Sequence, residues 1–444
     1  MLDPEVIEKL VSYCQNVSHI SHFELFHEHT KTTISKGIFS INRKRRPIID
    51  ISQNQTVRVR LGLFFSDNTH TSLSWTGENM TFDSCVDDIT KGIASRDRKT
   101  KLVSIPNIIN IEDGHFIEVF DPRQNGMSEQ MRQSILNFNL DIIYGISKAI
   151  LFRDLEFEDS VITRNFWTKN KHFSEIGTLY TVRHTLQLPH SEIPQIKSEN
   201  HSRYFADLAS IPLNAVLVRK LLETKEREFD INDADYLVLE PRVVSQIVRT
   251  ILPCFSLQNI EGKTSFIHDK KGQRIANRYV HLSDDPLMMC GVNSRTFDVS
   301  GTSSRPRVLI QDGHVNHFYS HDLEQPSGHL DWDDDIYFGN IMVKSGRRSL
   351  NMIFDEGVQA LVGECIVGSI EFDQKSGDIS FTLCLMLRES NDVMSYVGLA
   401  KYKGNILDVL SNVVEATNQS ERFGFIDSSG WILKKDIFEM LNLM

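Results

Sequence analysis

Three residues near the N-terminus have the types and the spacing of a metal-binding pair. His27 and His29 flank Glu28, and residues two apart on a β-strand share one face, so both imidazoles could reach one ion. Neutral imidazole is a common ligand of zinc. The alternative is a polar strand edge in solvent, at which the two rings bind no metal.

Two further groups of potential ligands lie in the second half of the chain. The first is a set of histidines, namely His314, His317 and His321. The second is an acidic cluster, namely Asp331, Asp333, Asp334 and Asp335. On a hairpin the histidine side chains need not converge, and the acidic cluster lacks the glycine and the terminal glutamate of a calcium loop. Surface histidines and a solvated acidic loop are the alternatives to metal sites.

A basic segment could instead hold an anionic partner. Residues 36–60 contain seven basic side chains and one acidic side chain. The basic residues are Lys36, Arg43, Lys44, Arg45, Arg46, Arg58 and Arg60. Such a patch attracts anions, although a charged edge strand or loop has the same composition.

No motif with a strong mechanistic meaning accompanies these groups. The sequence contains no GxSxG nucleophile elbow, no GxxxxGK phosphate loop and no GxGxxG dinucleotide motif. It also contains neither HExxH nor HExxxH. Local chemistry alone therefore names no reaction.

The elements that must position these residues alternate between helices and strands in the first half of the chain. A helix is expected to begin at Pro4, with Asp3 as its cap and an apolar stripe that ends at Cys14. Helical spacing of apolar residues predicts two more helices, and period-two alternation predicts strands. These helices cover residues 82–94 and 128–152, and the clearest strands cover residues 57–63 and 180–188.

The second half reads mostly as antiparallel strands. A short strand is predicted at residues 236–239. Asp312-Gly313 and residues 375–378 predict two hairpin turns. Residues 405–415 predict a helix, because their apolar positions recur at helical spacing.

The length of 444 residues suggests more than one domain. A charged run at residues 223–235 is the candidate boundary. We therefore expect a mixed α/β domain at residues 1–230 and a domain dominated by antiparallel β-sheet at residues 231–444. The fold class of the whole chain is predicted to be α+β.

Composition and charge narrow the class of protein. The chain is 40% hydrophobic and 24% charged and has a net charge of −11, which is typical of an acidic globular protein and disfavours nucleic acid as a partner. We see no apolar segment long enough to cross a membrane and no signal-peptide pattern. The six cysteines are widely spaced and form neither a disulfide framework nor a CxxC metal motif, so most are expected to be buried. A cytoplasmic location is expected.

Several short motifs follow one another between residues 237 and 425. They read LVLEP (237–241), DDP (284–286), GVNSRTFD (291–298), VLIQDG (308–313), SGDIS (376–380) and GNILD (404–408). In this order they resemble the C-terminal domain of the TldD/PmbA family, also called modulators of DNA gyrase, whose pattern includes DDP, GLGSRPFDDEG, TVLIEDG, TGDFS and GNLLD. The N-terminal half resembles the family in layout alone.

This resemblance implies a role in proteolysis. TldD and TldE (PmbA) chains of the family are related and pair into a metalloprotease that degrades or trims peptides. The TldD type carries HExxxH on the helix after the first strand of this domain, and a cysteine ligand near the C-terminus. Two histidines and a thiolate hold zinc there, and the glutamate activates a water at the open position.

In this sequence the matching helix covers residues 241–256. The family's first histidine, its glutamate and its second histidine fall at Arg249, Thr250 and Cys254, and no cysteine follows Cys384. An arginine does not ligate zinc, and a threonine is no general base at neutral pH. The resemblance therefore implies a TldE-like chain with no catalytic residue, metal ligand or cofactor of its own, and Cys254 is expected to be a buried thiol.

The sequence also departs from the TldE pattern. Pro253 is expected to kink the matching helix or end it early. The region after Tyr319 is short and acidic, where the family usually has a longer segment with glycines. Such a divergent copy could serve one dedicated peptide precursor.

Three functions follow as hypotheses. The first is a non-catalytic subunit that forms a heterodimer with a zinc-holding, HExxxH-bearing TldD-like chain and helps bind an extended peptide by β-addition. The second is a stand-alone, homodimeric peptide- or protein-binding regulatory protein that uses residues 36–60. The third is a metalloenzyme whose site is built from His314, His317, His321 or the cluster at residues 331–335. The order of the motifs favours the first hypothesis.

Overall fold

The structure is a computed structural model of the chain. It describes residues 4–39, 48–67, 69–76, 80–95, 119–188, 195–208, 215–298, 301, 303–319, 338–349, 358–388 and 394–444. The helices in this part of the chain are α1 (Pro4–Asn16), α2 (Phe82–Ser95), α3 (Glu129–Ile146), α4 (Phe205–Leu208), α5 (Ala215–Glu223), α6 (Pro241–Ile251), α7 (Leu257–Glu261) and α8 (Ile406–Asn412). None of them is long and apolar enough to cross a membrane.

The first six strands form one antiparallel sheet, which we call sheet 1. Its strands are β1 (Ile20–Ile38), β2 (Ile48–Phe65), β3 (His70–Thr76), β4 (Leu151–Thr168), β5 (His172–Gln187) and β6 (Ile196–Ser202). They lie in the order β3-β2-β1-β4-β5-β6. Helices α1 and α2 cover the apolar side chains of one end of a face, and α3 covers those of the other end.

The remaining strands form sheet 2, which is mixed but mostly antiparallel. Its strands are β7 (Lys225–Glu226), β8 (Tyr236–Leu239), β9 (Leu282–Asp285), β10 (Arg307–Gln311), β11 (His314–Val315), β12 (Asn340–Val343), β13 (Ala360–Phe372), β14 (Asp378–Arg388), β15 (Met394–Asn405), β16 (Val413–Phe423), β17 (Ile426–Lys434) and β18 (Leu441–Leu443). Strand β8 lies between β17 and β13. The predicted α+β class is therefore confirmed.

The boundary predicted at residue 230 stays a prediction. Sheet 1 uses strands up to Ser202, and the strands of sheet 2 begin at Lys225. The short strand β7 lies before the predicted boundary, yet it pairs with β15 of sheet 2.

Local signals placed several elements correctly. Helices α1 and α2 begin at Pro4 and Phe82, as predicted. At the first hairpin turn Asp312 has a φ of 49° and Gly313 a φ of 84°, which is the left-handed conformation that a tight two-residue hairpin requires. Gly377 has a φ of 81° in the second turn. Both predicted hairpins are confirmed as the pairs β10–β11 and β13–β14.

Two predicted helices were too long. The helix predicted over residues 128–152 begins after its cap Ser128 and ends at Ile146, and from Leu151 the chain forms β4. The helix predicted over residues 405–415 ends at Asn412, after which β16 pairs with β17. In both cases strand pairing, of β4 with β1 and β5 and of β16 with β17, overrides the local apolar spacing.

Candidate functional site

A cavity of about 600 Å³ lies between sheet 1 and α6 in the described part of the chain. The sheet contributes its floor, α6 forms one wall, and the turn between β16 and β17 closes one end. The lining residues are Lys36, Arg153, Asp154, Glu156, Arg183, His184, Thr185, Gln195, Lys197, Ser198, Glu199, Arg242, Ser245, Gln246, Arg249, Phe423 and Gly424. We call this cavity the cleft.

A row of alternating charges crosses the floor of the cleft. Lys36 lies opposite Glu156, Glu156 opposite Arg183, and Arg183 opposite Glu199 on the neighbouring strands β1, β4, β5 and β6. Lys36 forms an ion pair with Glu156, and Arg183 forms one with Glu199. His201 and Arg183 lower the pKa of Glu199 to about 2. The floor carboxylates are thus largely compensated by their own neighbours.

Helix α6 forms the wall because its two faces differ in polarity. Its apolar residues lie in the core of sheet 2, and they are Val243, Val244, Ile247, Val248 and Ile251. The opposite face carries Arg242, Ser245, Gln246 and Arg249, which recur at the i, i+3, i+4 and i+7 spacing of one helix face. Burial of the apolar stripe therefore directs this polar stripe into the cleft.

The turn at Phe423-Gly424-Phe425 supports both arginines of α6. The guanidinium carbon of Arg242 lies 5.6 Å from the centroid of the Phe423 ring, and that of Arg249 lies 5.3 Å from the centroid of Phe425. Arg249 also donates a long hydrogen bond of 3.4 Å to the Phe423 carbonyl. Gly424 has a φ of 63°, and a Cβ there would lie 2.8 Å from Arg249 Nη2. The turn therefore accommodates the Arg249 guanidinium because residue 424 is a glycine.

The cleft has an excess of positive charge in an acidic protein. Six of its lining residues are lysine or arginine and three are aspartate or glutamate, an excess of three positive charges. Burial and Arg242 lower the pKa of His184 to about 4, so this histidine is neutral at physiological pH and adds no charge. The cleft therefore suits a ligand with negative groups.

The residues that match the zinc motif do not fit a zinc ion. Arg249 lies in the cleft and has no lone pair to offer a metal. The Thr250 hydroxyl donates to the Gln246 carbonyl at 2.9 Å. Cys254 is fully buried in the core of sheet 2, where burial raises the pKa of its thiol to about 12. The three side chains thus do not converge on one point, and the prediction that Cys254 is buried is confirmed.

Pro253 has the expected effect on this segment. Helix α6 ends at Ile251, and residues Leu252–Phe255 continue as a 3-10 helix. A proline lacks the backbone N–H that an α-helix needs and its ring clashes with the preceding turn. Cys254 lies within this 3-10 segment and is buried.

The histidine pair of β1 does not form a metal site with Glu28. Strand β1 lies between β2 and β4, so the reading of a strand edge in solvent is wrong as well. Burial and His29 lower the pKa of His27 to about 4, and the two ring centroids are 6.3 Å apart. Glu28 lies on the opposite face of the strand and accepts a hydrogen bond from Arg164 at 2.7 Å.

The other candidate ligands are likewise not brought together. The Nδ1 atoms of His314 and His317 lie 3.2 and 3.0 Å from the backbone carbonyls of Asp312 and Val308. His321 and the acidic cluster at residues 331–335 lie outside the described residues. Within the described ranges, no group of three His, Cys, Asp or Glu residues is arranged to hold a metal ion.

The basic segment at residues 36–60 has internal partners where it is described. Lys36 bonds to Glu156, and Arg58 lies 3.8 Å from Glu28. Arg60 is 5% exposed. Arg43, Lys44, Arg45 and Arg46 lie outside the described residues. The described part of the segment therefore does not form a free basic patch.

The motif at residues 291–298 joins the two sheets. Thr296 donates from its N–H and its hydroxyl to Glu175 Oε2 of β5, at 2.7 and 2.8 Å. The buried Arg203 donates to the backbone carbonyls of Gly291 and Ser294, at 3.3 and 3.2 Å. These motif residues thus have a structural role and do not line the cleft.

Sequence reasoning missed the cleft and a pair of cysteines. The alternation of Asp154, Glu156 and Glu158 with apolar residues was a signal for one charged face of β4. Cys365 lies opposite Cys384 on β13 and β14, and neither is in a disulfide. Their 19-residue separation gave no sign of this contact, because it depends on the register of the hairpin.

Comparisons with known proteins agree with this architecture. Residues 235–435 match the family model of the PmbA/TldA metallopeptidase C-terminal domain. An uncharacterised protein of Methanocaldococcus jannaschii is 22% identical over 212 residues, which are 45% of this chain and 50% of that protein. The chain therefore spans half the length of this relative.

Solved structures share the fold over nearly the whole chain. A protein of Bacteroides thetaiotaomicron described as a modulator of DNA gyrase has a TM-score of 0.75 at 15% identity, over 98% of both chains. One of Thermotoga maritima, described in the same way, has a TM-score of 0.77 at 14% identity, over 97% of this chain and 98% of that one. TldE of Thermococcus kodakarensis has a TM-score of 0.76 at 16% identity, with the same coverage. Residues 235–435 of this chain therefore form a C-terminal domain of the TldD/PmbA family, and the chain as a whole has the fold of these solved structures.

Proposed function

We propose that this chain is the non-catalytic, TldE-like subunit of a zinc metallopeptidase of the TldD/PmbA type. In this role it binds extended peptides, and a partner chain with HExxxH holds the zinc and hydrolyses them. The observation that carries the proposal is the cleft face of α6, where Arg249 occupies the position of the family's first zinc-binding histidine. Because the wall of the cleft lacks the zinc ligands of the family motif, the role that we propose for the cleft is peptide binding.

The edge of sheet 1 supports binding of an extended peptide. In the described part of the chain β6 pairs with β5 along one edge, and it is the last strand of the sheet. It contributes Lys197, Ser198 and Glu199 to the cleft. A peptide that paired with the outer edge of β6 would gain main-chain hydrogen bonds, and its alternate side chains would point toward the cleft.

The test is a tagged purification from the native host, followed by mass spectrometry of the proteins that co-elute in stoichiometric amount. We expect a chain that carries HExxxH. The pair should hydrolyse unfolded peptides until a chelator is added, and each chain alone should be inactive. A pair in which the partner's HExxxH glutamate is replaced by glutamine is the matched control and should bind peptides without cleaving them.

Two results would overturn the proposal. Chelator-sensitive hydrolysis by this chain alone would show that it has a catalytic site of its own. Recovery of the chain alone, or with itself only, would leave it without the catalytic partner that the proposal requires and would favour a homodimeric regulatory protein.

A further inference from the structure

We propose that the cleft recognises a carboxylate group of the peptide, so that the chain selects segments with an acidic side chain or a free C-terminus. This inference rests on the proposed function, because it names the chemistry of the peptide that the same cleft would bind. It is carried by the arrangement of cations around the cleft.

Three cations of the cleft have no carboxylate partner among the described residues. Arg153, Lys197 and Arg249 line the cleft, and none of them forms an ion pair within that part of the chain, where Arg153 instead bonds to the amide oxygen of Gln187. By contrast, Lys36 and Arg183 of the same cleft are each bonded to a glutamate. These three cations can therefore donate hydrogen bonds to a ligand carboxylate without first breaking an ion pair.

The wall and the floor of the cleft differ in their negative charges. The wall formed by α6 presents two arginines and a glutamine, whose side chains carry N–H donors, and a serine whose hydroxyl donates to the Arg242 carbonyl at 2.7 Å. The three carboxylates, Asp154, Glu156 and Glu199, all belong to the floor. A ligand carboxylate would thus be favoured beside α6 and disfavoured near the middle of the floor.

The arginines of the wall are held in place before any ligand arrives. Each guanidinium lies over a phenylalanine ring of the turn at residues 423–425. Such cation–π contacts restrict a long side chain without using its N–H donors as the contact itself. Because less side-chain entropy is then lost on binding, a preorganised arginine binds a carboxylate more tightly than a mobile one.

A short peptide fits these features better than a polyanion does. The cleft of about 600 Å³ has the volume of a site for a few residues or a small molecule. The net charge of −11 repels a long polyanion such as nucleic acid, whereas a single carboxylate responds mainly to the local excess of positive charge.

The experiment measures binding of fluorescent peptides to the purified full-length chain by anisotropy. One extended peptide carries a central glutamate and a free C-terminus. A second has glutamine in place of that glutamate, and a third has an amidated C-terminus. We expect one of the two changes to weaken binding about tenfold, equal to about 1.4 kcal/mol, and the change that does so identifies whether a side chain or the C-terminus supplies the carboxylate.

Variants assign this discrimination to the cleft. Arg249→Gln should reduce the tenfold preference to less than about twofold. Lys197→Gln is a second variant on the opposite side of the cleft and should act in the same direction. Arg219→Gln removes an exposed arginine of α5 that does not line the cleft, so it should keep the full preference.

The outcomes separate this inference from the proposed function. Equal binding of the three peptides would overturn the carboxylate site and leave peptide binding intact. Absence of binding to any peptide would overturn the proposed function together with the inference. Competition by a single-stranded oligonucleotide that depends on Arg249 would overturn the choice of a peptide carboxylate as the ligand.

Discussion

Replacement of Glu175 by glutamine should destabilise the protein by about 1.5–3 kcal/mol, the usual contribution of a hydrogen bond to a charged group, because Arg164 keeps Glu28 as its second carboxylate partner. Glu175 lies between Arg164, whose Nη1 is 3.2 Å from its Oε1, and Thr296, which donates two hydrogen bonds to its Oε2. The side chains of Glu175 and Arg164 are 9% and 13% exposed. Because an amide replaces one acceptor oxygen by a donor NH₂, either Arg164 or Thr296 would then face another donor.

The assay is thermal unfolding of the full-length chain. A loss of this size should lower the midpoint by about 1.5–3 °C, because an unfolding entropy of about 2.1 cal/mol/K per residue over 444 residues gives about 1 °C for each kcal/mol. The matched control is Glu8→Gln, an exposed carboxylate of α1, which should shift the midpoint by less than about 1 °C.

A double-mutant cycle with Thr296→Val tests the cause of the loss. This variant removes the hydroxyl donor and keeps the N–H, so its effect should shrink in the Glu175→Gln background, with a coupling of about 0.5–3 kcal/mol. Additive effects, or a midpoint of Glu175→Gln equal to that of the unchanged chain, would refute the assignment of this contact as a link between the sheets.

Three further results are expected. Burial raises the pKa of Asp284 from 3.8 to about 6, so the folded chain holds this proton more tightly than the unfolded chain, and the stability that this adds is lost as pH rises through 6. Asp284→Asn should therefore flatten the dependence of the thermal midpoint on pH between about pH 4 and 6, and an unchanged slope would contradict this reasoning. Gly424→Ala should lower the preference for acidic peptides in the anisotropy assay without changing any charge, because the added Cβ displaces Arg249; a preference that survives would argue against preorganisation by this turn. A thiol reagent should label one cysteine of the native chain, Cys290, since the other five are buried, and six after unfolding; native labelling of more than one would show that a core opens readily.

The elements predicted well are those with local signals. Pro4 fixes the start of α1, and Asp312-Gly313 fixes the first hairpin turn, because in each case the residue sets its own backbone conformation. Strand β4 was missed because its eighteen residues are held by β1 and β5, and the spacing of apolar residues before it also suits a helix. The sequence therefore predicts turns and helix starts better than it predicts where a helix gives way to a strand.

The sequence allowed one side of the cleft to be predicted and not the other. The resemblance to the family drew attention to α6 and to Arg249, and the structure places that arginine in a cavity. The floor of the cleft could not be predicted, because Lys36, Glu156 and Glu199 come together only through the register of four strands. Sites of this kind depend on contacts between segments more than one hundred residues apart, which one sequence does not record.

The position of β1 inside sheet 1 has a consequence during synthesis of the chain. One edge of β1 pairs with β2, its neighbour in sequence, but the other edge waits for β4, and Lys36 and its partner Glu156 are 120 residues apart. At about 5–20 residues per second a ribosome needs about 6–24 s to make that segment. For this time the hydrogen-bonding groups of one edge are open to other nascent chains. The polar run HEHTKTT at residues 27–33 keeps that edge charged and hydrated, which protects the nascent chain from aggregation until β4 arrives.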